Sequence, residues 1–138
     1  MTPAEIEAYL LEAFPQAFAC DALSIEHVGA GEARLRLSPD DRHLRPGNVI
    51  SGPTLMMLAD AAAYVALLAI NADAKMAVTS NLNVSFLRSA PPGEPIIQTA
   101  EVIKPGRRLS VIVGEALSLG GKTLAHTTMT YAMPTAAD

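Results

Sequence analysis

The chain has 138 residues, of which 50% are hydrophobic and 17% charged, with a formal net charge of −4. This length fits a single domain over residues 1–138 that can bury a core without disulfide bonds. The acidic balance and the 4% aromatic content argue against a nucleic-acid-binding protein. The single cysteine, Cys20, excludes an internal disulfide and a thiolate metal cluster, which favours a cytoplasmic location.

No membrane segment is expected. The N-terminal residues include Glu5, Glu7 and Glu12 and no basic stretch, so they do not form a signal peptide. The longest apolar run, residues 54–70, is shorter than the roughly 20 residues that a membrane helix needs. This run also contains Asp60, an acid that would need a partner inside a bilayer.

The first third of the chain predicts a helix followed by a hairpin. Apolar residues at helical spacing indicate an amphipathic helix from residue 1 to about residue 20, with Thr2 as its cap and Pro15 limiting its extent. From Ala22 onwards the apolar residues alternate, and the turn signal at residues 29–31 divides this segment into two strands.

A polar loop, residues 39–48, leads into the most unusual segment of the chain. Residues 54–70 are apolar or small almost throughout and carry one charge, Asp60. A helix that is apolar on every side is a buried helix. Ser51 or Gly52 is its expected N-cap, with Pro53 in the first turn. Because burying a lone carboxylate is costly, Asp60 must be hydrogen-bonded, paired or used in chemistry.

Four strands are predicted after this helix, at residues 77–87, 95–104, 109–119 and 122–133. The alternation in the first of them places Thr79, Asn81, Asn83, Ser85 and Leu87 on one face and apolar residues on the other. One long helix with adjacent hairpins predicts an α+β fold with a mostly antiparallel sheet of five to six strands. Wrapped around the central helix and preceded by the N-terminal helix, this sheet gives a hot-dog architecture.

Three stretches resemble the hot-dog acyl-CoA thioesterases of the PaaI-like group: residues 44–53 with the acid at 60, residues 77–87 and residues 104–109. In that family the loop before the helix reads Asn-Pro-x-Gly-x-x-His-Gly-Gly, and an acid follows eight residues after the first glycine of the final pair. Gly52 and Asp60 keep this spacing. The resemblance implies that the Gly52 N–H polarises the thioester carbonyl and that Asp60, commonly from the facing subunit, activates water or attacks directly. It also implies that Thr79 orients the water or the carboxylate.

The chain departs from the family motif at four positions. Ser51 replaces the histidine, Pro53 replaces the second glycine, Arg45 replaces the loop asparagine and Asn48 replaces the loop glycine. A serine hydroxyl can still donate to a carbonyl, although it is shorter and weaker than an imidazole. We therefore expect Arg45, Asn48 and Ser51 to contact substrate. His43, in the same loop, is a possible replacement for the missing imidazole.

The chemistry of these residues leaves alternatives open. An amide at a helix start favours developing negative charge, but it can also be a plain cap. A desolvated Asp60 suits a general base, but it can also be a structural acid bonded to a strand or a partner. We expect Asn81, near the start of its strand, to belong to the site. Arg88 and Arg107 are candidates for the phosphates of coenzyme A, although exposed turn arginines are common.

These observations predict a hydrolase of acyl-CoA or a related acyl thioester, with no metal and no cofactor. A non-catalytic acyl-CoA-binding protein is the alternative, and a hot-dog hydratase is a third possibility that lacks the expected histidine beside the helix. One sheet around one helix leaves an edge and a helix end exposed, so we expect a homo-oligomer, a dimer or a tetramer. The acyl group and its carrier, coenzyme A or an acyl carrier protein, stay open.

Overall fold

The computed structural model describes residues 1–18 and 22–134, so Cys20 lies outside the described residues. Two helices come first, α1 (Pro3–Ala13) and α2 (Pro15–Phe18). The long helix is α3 (Gly52–Ile70), and the loop before it contains the short strands β3 (Leu44–Arg45) and β4 (Val49–Ile50). The main sheet consists of β1 (Leu23–Gly29), β2 (Glu32–Leu37), β5 (Val78–Phe86), β6 (Ile96–Lys104), β7 (Leu109–Ser118) and β8 (Thr123–Ala132).

The six strands of the main sheet follow the order β1-β2-β6-β7-β8-β5, and every neighbouring pair is antiparallel. Helix α3 packs along the concave face of this sheet and contacts all six strands. The core between them is formed by side chains that are almost fully buried, including Leu58, Leu67, Leu35, Ile112 and Met129. The predicted α+β hot-dog fold, with one long helix inside an antiparallel sheet, is confirmed.

Helix α3 begins and ends where the sequence indicates. Ser51 is the N-cap, Pro53 lies in the first turn and Asn71 is the C-cap. The helix is long and apolar enough to cross a membrane by length and composition, yet 61% of that segment is buried inside the fold, as expected of a core helix. One stripe is less buried than the rest and contains Met56, Met57, Asp60 and Tyr64. Asp60 therefore lies at the open side of a helix whose other sides are packed.

The N-terminal helix is shorter than predicted. Thr2 caps α1 and forms a reciprocal pair of hydrogen bonds with Glu5, but the helix ends at Ala13. Proline disfavours helical geometry in the residue before it. Phe14 accordingly has φ −135° and ψ 56°, and the chain restarts as the short α2 at Pro15. The single helix predicted for residues 1 to about 20 is thus two helices.

Strand β5 departs from the predicted alternation at its start. Thr79 pairs with Tyr131 and Asn81 pairs with Thr130, so Ser80 is an extra residue in β5. Residues that pair directly across a ladder share a face. Thr79 therefore lies on the inner face with Tyr131, whereas Asn81 lies on the outer face with Thr130. The prediction that Thr79 and Asn81 share one face is wrong, because periodicity cannot reveal a β-bulge.

Strand β5 is also an edge of the sheet, since β8 is its one neighbour among the described strands. Apolar residues of a strand are expected to be buried, but in β5 Val78 is 62% exposed and Phe86 is 53% exposed. A long edge with apolar side chains is a site where another chain can pair. No element within residues 1–18 and 22–134 pairs with this edge.

The centre of the sheet provides a test of packing. A Cβ atom at Gly114 would overlap the carbonyl oxygen of Thr99 on the neighbouring strand, whereas the nearest atom at Gly120 would be 3.8 Å away. Because a backbone atom cannot yield as a side chain can, we expect Gly114→Ala to lower the free energy of unfolding by about 2–3 kcal/mol. Gly120→Ala, the matched control, should change it by less than about 0.5 kcal/mol. Urea unfolding of both variants measures this, and equal midpoints would contradict the expected overlap.

Candidate functional site

A cavity of roughly 550 Å³ opens beside the middle of α3. The chain has three tyrosines, and all of them, Tyr9, Tyr64 and Tyr131, line this cavity. Phe14 adds a fourth ring, and Asp60 is the one carboxylate among the lining residues that the structure describes. A cavity of this size with aromatic walls and few polar groups is typical of a small-molecule site. We call it the Asp60 cavity.

The carboxylate of Asp60 is held by two hydroxyl groups. Thr79 Oγ1 donates to Asp60 Oδ1 at 2.6 Å, and the Tyr131 hydroxyl lies 2.6 Å from the same oxygen. The Tyr131 hydroxyl also lies 2.9 Å from the main-chain oxygen of Asp60. The other carboxylate oxygen, Oδ2, has no hydrogen-bond partner within residues 1–18 and 22–134. Asp60 and Thr79, two of the residues indicated by the sequence, are thus brought together.

The sequence reasoning missed Tyr131. This side chain is 3% exposed, and burial raises its pKa, with the hydrogen bond to Asp60 adding to the shift. The phenol therefore stays protonated and can act as a donor. A signal was present in β8, where Tyr131 follows buried Met129 in the alternation, because a buried tyrosine hydroxyl usually has a hydrogen-bond partner. Nothing in the sequence identified Asp60 as that partner.

A second hydrogen-bonded group forms the far wall of the Asp60 cavity. The Tyr64 hydroxyl donates to the main-chain oxygen of Lys75 at 2.7 Å, so the Tyr9 hydroxyl, 3.0 Å away, donates to Tyr64. The Lys75 ammonium lies 4.8 Å from the centre of the Tyr9 ring. Burial raises the pKa of Tyr64. These contacts attach α1 to α3 and make α1 part of the cavity wall.

The start of α3 leaves one amide free. Thr54 N donates to Ser51 Oγ at 3.3 Å and Leu55 N donates to the Ser51 carbonyl at 3.4 Å, while Pro53 has no N–H. The Gly52 N–H has no hydrogen-bond partner among the residues that the structure describes. It belongs to the first turn, where orphan N–H groups and the helix dipole favour negative charge.

Gly52 lines a second cavity of roughly 420 Å³, together with Arg45, Arg88 and Phe86. We call it the Gly52 cavity. The Arg88 guanidinium donates to the main-chain oxygen of Thr123 at 2.9 Å. Two of the predicted phosphate- or substrate-binding arginines therefore lie beside the free amide.

Ser51 has a structural role that the motif comparison did not anticipate. Thr54 Oγ1 donates to the His43 carbonyl at 3.3 Å, so the Ser51 hydroxyl, 2.7 Å from Thr54 Oγ1, donates its proton to Thr54. In this arrangement the hydroxyl proton of Ser51 is not available to a substrate carbonyl.

His43 also has a hydrogen-bond partner, because its Nδ1 accepts the Asp40 N–H at 2.9 Å. Hydrogen bonds from Arg42 lower the pKa of the Asp40 carboxyl to about 2.

The remaining predicted site residues lie apart from Asp60. Asn48 has φ 59° and closes a turn by donating its N–H to the Arg45 carbonyl at 3.1 Å. Asn81 lies on the outer face of β5, beyond the bulge. Arg107 is exposed in the connection between β6 and β7 and lines neither cavity.

The two cavities are separated along α3. Gly52 and Asp60 are eight residues apart in one helix, which corresponds to about 12 Å at 1.5 Å per residue. A hydrogen bond to a carbonyl oxygen spans about 3 Å. A single thioester carbonyl therefore cannot meet the Gly52 N–H and the Asp60 carboxylate of the same chain.

A family model described as the thioesterase superfamily matches residues 47–125 of this chain. A Silicibacter protein with a provisional thioesterase assignment is 36% identical, with 94% of this chain and 90% of that chain covered and a TM-score of 0.81. PaaI of Escherichia coli, from the phenylacetic acid degradation operon, is 22% identical, with 94% and 96% covered and a TM-score of 0.81.

A Streptococcus mutans protein bound to acetyl-CoA is 17% identical, with 81% of this chain and 88% of that chain covered and a TM-score of 0.76. The likeness to this protein and to PaaI is one of fold. A comparison with curated proteins gave no match. The segment that the family model covers includes both Gly52 and Asp60, the two groups that point into the separate cavities.

The hydrogen bonds of Ser51 lead to a specific expectation. If Ser51 is a cap, Ser51→Ala should lower the free energy of unfolding by about 1 kcal/mol, because Thr54 N loses its acceptor. Ser51→Gly should cost only a few tenths of a kcal/mol. Thermal or urea unfolding measures both. Loss of turnover in Ser51→Ala without loss of stability would show instead that the hydroxyl serves the substrate.

Proposed function

The chain belongs to the thioesterase superfamily, and from that premise we propose that it hydrolyses acyl-CoA or a related acyl thioester with Asp60 as the group that activates water. The observation that carries the proposal is the arrangement of Asp60, whose Oδ1 is held by two hydroxyls while Oδ2 is unpaired within the described residues and the side chain lines an aromatic cavity. Burial of apolar surface in that cavity would hold the acyl group.

The Gly52 N–H supplies the complementary group in this proposal. An unpaired amide at a helix start is placed to stabilise the oxyanion that forms when a carbonyl is attacked. Ser51, Thr54 and Leu55 use up the other hydrogen-bonding groups at this end of α3, and Pro53 has no N–H to offer. The helix start therefore presents a single donor to a substrate.

If both groups act on one carbonyl, as we propose, their separation of about 12 Å in one helix requires an active site shared by two protomers. The exposed edge of β5 offers the contact, because two copies can pair antiparallel along it. Because Ser80 is an extra residue in β5, pairing centred on Leu82 sets Ser85 of one copy, the neighbour of Phe86, opposite Val78 of the other. A Cβ atom on Gly52 would lie 3.5 Å from the Phe86 ring, and Val78 lines the Asp60 cavity. This pairing thus brings the Gly52 cavity of one protomer towards the Asp60 cavity of the next.

The reaction then proceeds in two steps. Asp60 Oδ2 takes a proton from water as the water oxygen bonds to the thioester carbon, and the Gly52 N–H of the second protomer stabilises the carbonyl oxyanion. Collapse of the tetrahedral intermediate breaks the C–S bond and releases the free acid and the thiolate. The thiolate then takes up the proton from Asp60. Direct attack by Asp60, with an anhydride intermediate, differs in its isotope pattern. If water attacks the Asp60 carbon of that anhydride, a single turnover in H₂¹⁸O leaves the label in the Asp60 carboxylate, whereas general-base attack leaves it in the free acid.

Substitutions at both groups test this assignment. Asp60→Asn should reduce kcat for acyl-CoA hydrolysis by at least about 100-fold, because the amide cannot accept the proton from water. Gly52→Pro removes the N–H and should cost about 100- to 1000-fold in kcat, whereas Gly52→Ala keeps it and should cost little. Release of free thiol measures turnover. Asp41→Asn, which changes an exposed acid outside both cavities, is the matched control.

Mixing the two inactive variants tests the shared site. A mixed dimer of Asp60→Asn and Gly52→Pro chains contains one site in which both groups are native. After refolding together at equal amounts, half of the dimers are mixed, so activity should recover to about one quarter of wild type. No recovery, in mixtures that sedimentation shows to contain dimers, would place both groups in one protomer or remove one of them from the site.

Binding without cleavage is the second candidate function, favoured by the use of the Ser51 hydroxyl in the helix cap. Calorimetric titration with acyl-CoA, run beside the thiol assay, separates the two candidates. Binding by the wild-type protein without thiol release across a panel of acyl-CoA substrates would establish the second candidate and overturn the first.

The arginines of the Gly52 cavity lead to a prediction about the carrier. If Arg45 meets a phosphate of coenzyme A, Arg45→Ala should raise KM for acyl-CoA about tenfold or more, because a charge-assisted hydrogen bond contributes about 1.5–3 kcal/mol. KM for the matching acyl-pantetheine, which lacks the nucleotide, should not change. The same pair of substrates tests Arg107, whose proposed phosphate contact is remote from both cavities of its own chain. An equal rise for both substrates would contradict a phosphate contact.

A further inference from the structure

We propose that Tyr131 is a positioning residue for the reaction, which together with Thr79 fixes Asp60 Oδ1 and so presents Asp60 Oδ2 to the water and the thioester. The inference rests on the proposed hydrolase function and deepens it. It adds a residue from the last strand of the sheet and assigns the reacting oxygen of the carboxylate.

The single proton of the Tyr131 phenol has two possible acceptors, both on Asp60. The main-chain oxygen of Asp60 lies 2.9 Å away and Oδ1 lies 2.6 Å away. Because α3 continues to Ile70, the main-chain oxygen is in a helical turn and already has the N–H of Tyr64 as its expected donor. The shorter distance and the charge of a carboxylate both favour donation to Oδ1.

Thr79 provides the second hydrogen bond to Asp60 Oδ1. A carboxylate oxygen has two lone pairs in the plane of the group, and Thr79 Oγ1 and the Tyr131 hydroxyl provide one donor for each. Oδ2 has no such donor in the described part of the chain. Two contacts on one oxygen restrict rotation of the carboxylate, so the free oxygen keeps a defined direction towards the Asp60 cavity.

The backbone makes this arrangement rigid. Thr79 and Tyr131 are direct partners in the ladder between β5 and β8, and the bulge that follows Thr79 turns its side chain inward. The Tyr131 ring is packed in the core at 3% exposure. A group held within a few tenths of an ångström of its productive geometry is what catalysis requires, since small displacements of reacting atoms reduce rates strongly.

The test compares two substitutions that keep an aromatic ring. Tyr131→Phe removes the donor, so we expect kcat to fall about tenfold to 100-fold while KM for the same acyl-CoA changes less than about twofold. Tyr131→p-aminophenylalanine, introduced by an expanded genetic code, keeps an N–H donor at the same place and should recover most of the lost kcat. Both variants are compared with wild type for their unfolding midpoints.

Each outcome decides the matter. Unchanged kcat in Tyr131→Phe, while Asp60→Asn is inactive, overturns the inference and leaves the hydrolase proposal intact. Equal losses in the two variants also overturn it, because a donor restored at the same place would then not restore turnover, and so does a rise in KM at constant kcat. If Tyr131→Phe does not fold, Tyr131→3,5-difluorotyrosine, a stronger donor of the same shape, takes its place, and an unaltered kcat overturns the inference. No turnover by wild type is a failure of the proposed function instead.

Discussion

A carboxylate in the middle of a core helix is the constraint on which the rest of this structure depends. Asp60 lies on α3, whose other faces are packed against the sheet, and a charged group there needs partners. The partners come from two adjacent strands, as the hydroxyls of Thr79 and Tyr131. Three features accommodate this charged group: the bulge in β5, the buried phenol in β8 and the open stripe of α3. Together they stabilise the carboxylate through Oδ1, while Oδ2 has no partner in the described part of the chain.

The two groups proposed for catalysis are a hydrogen-bond donor and a carboxylate, and both belong to helix α3. The N–H of Gly52 at the start of α3 favours negative charge nearby, whereas Asp60, two turns later, has a negatively charged side chain. A helix cannot bend to bring them together, so their separation is a fixed quantity of the fold. In the proposed mechanism, this separation requires a second copy to complete the site.

Much of this architecture was predictable because it depends on local signals. The caps of α3, its apolar composition and the glycine turns between strands are all encoded within a few residues of where they act. The β-bulge after Thr79 was not predictable, because alternation in β5 looks regular until its partner strand is known. The role of Tyr131 was not predictable either, because its contact with Asp60 joins residues that are 71 positions apart in the sequence. The occupied hydroxyl of Ser51 likewise depends on Thr54 and on the His43 carbonyl, which no motif describes.

The exposed strand β5 connects assembly with chemistry. Its apolar side chains and unpaired edge make an isolated protomer prone to association, which proteins normally suppress with charges, proline or a covering element. Strand β5 has no charged residue and no proline from Val78 to Phe86, and the bulge at Ser80 is its one interruption. The same strand contributes Thr79 to the carboxylate and places Phe86 against Gly52. A change that blunted this edge would also disturb both halves of the proposed site, so under the proposal the edge and the chemistry cannot be altered independently.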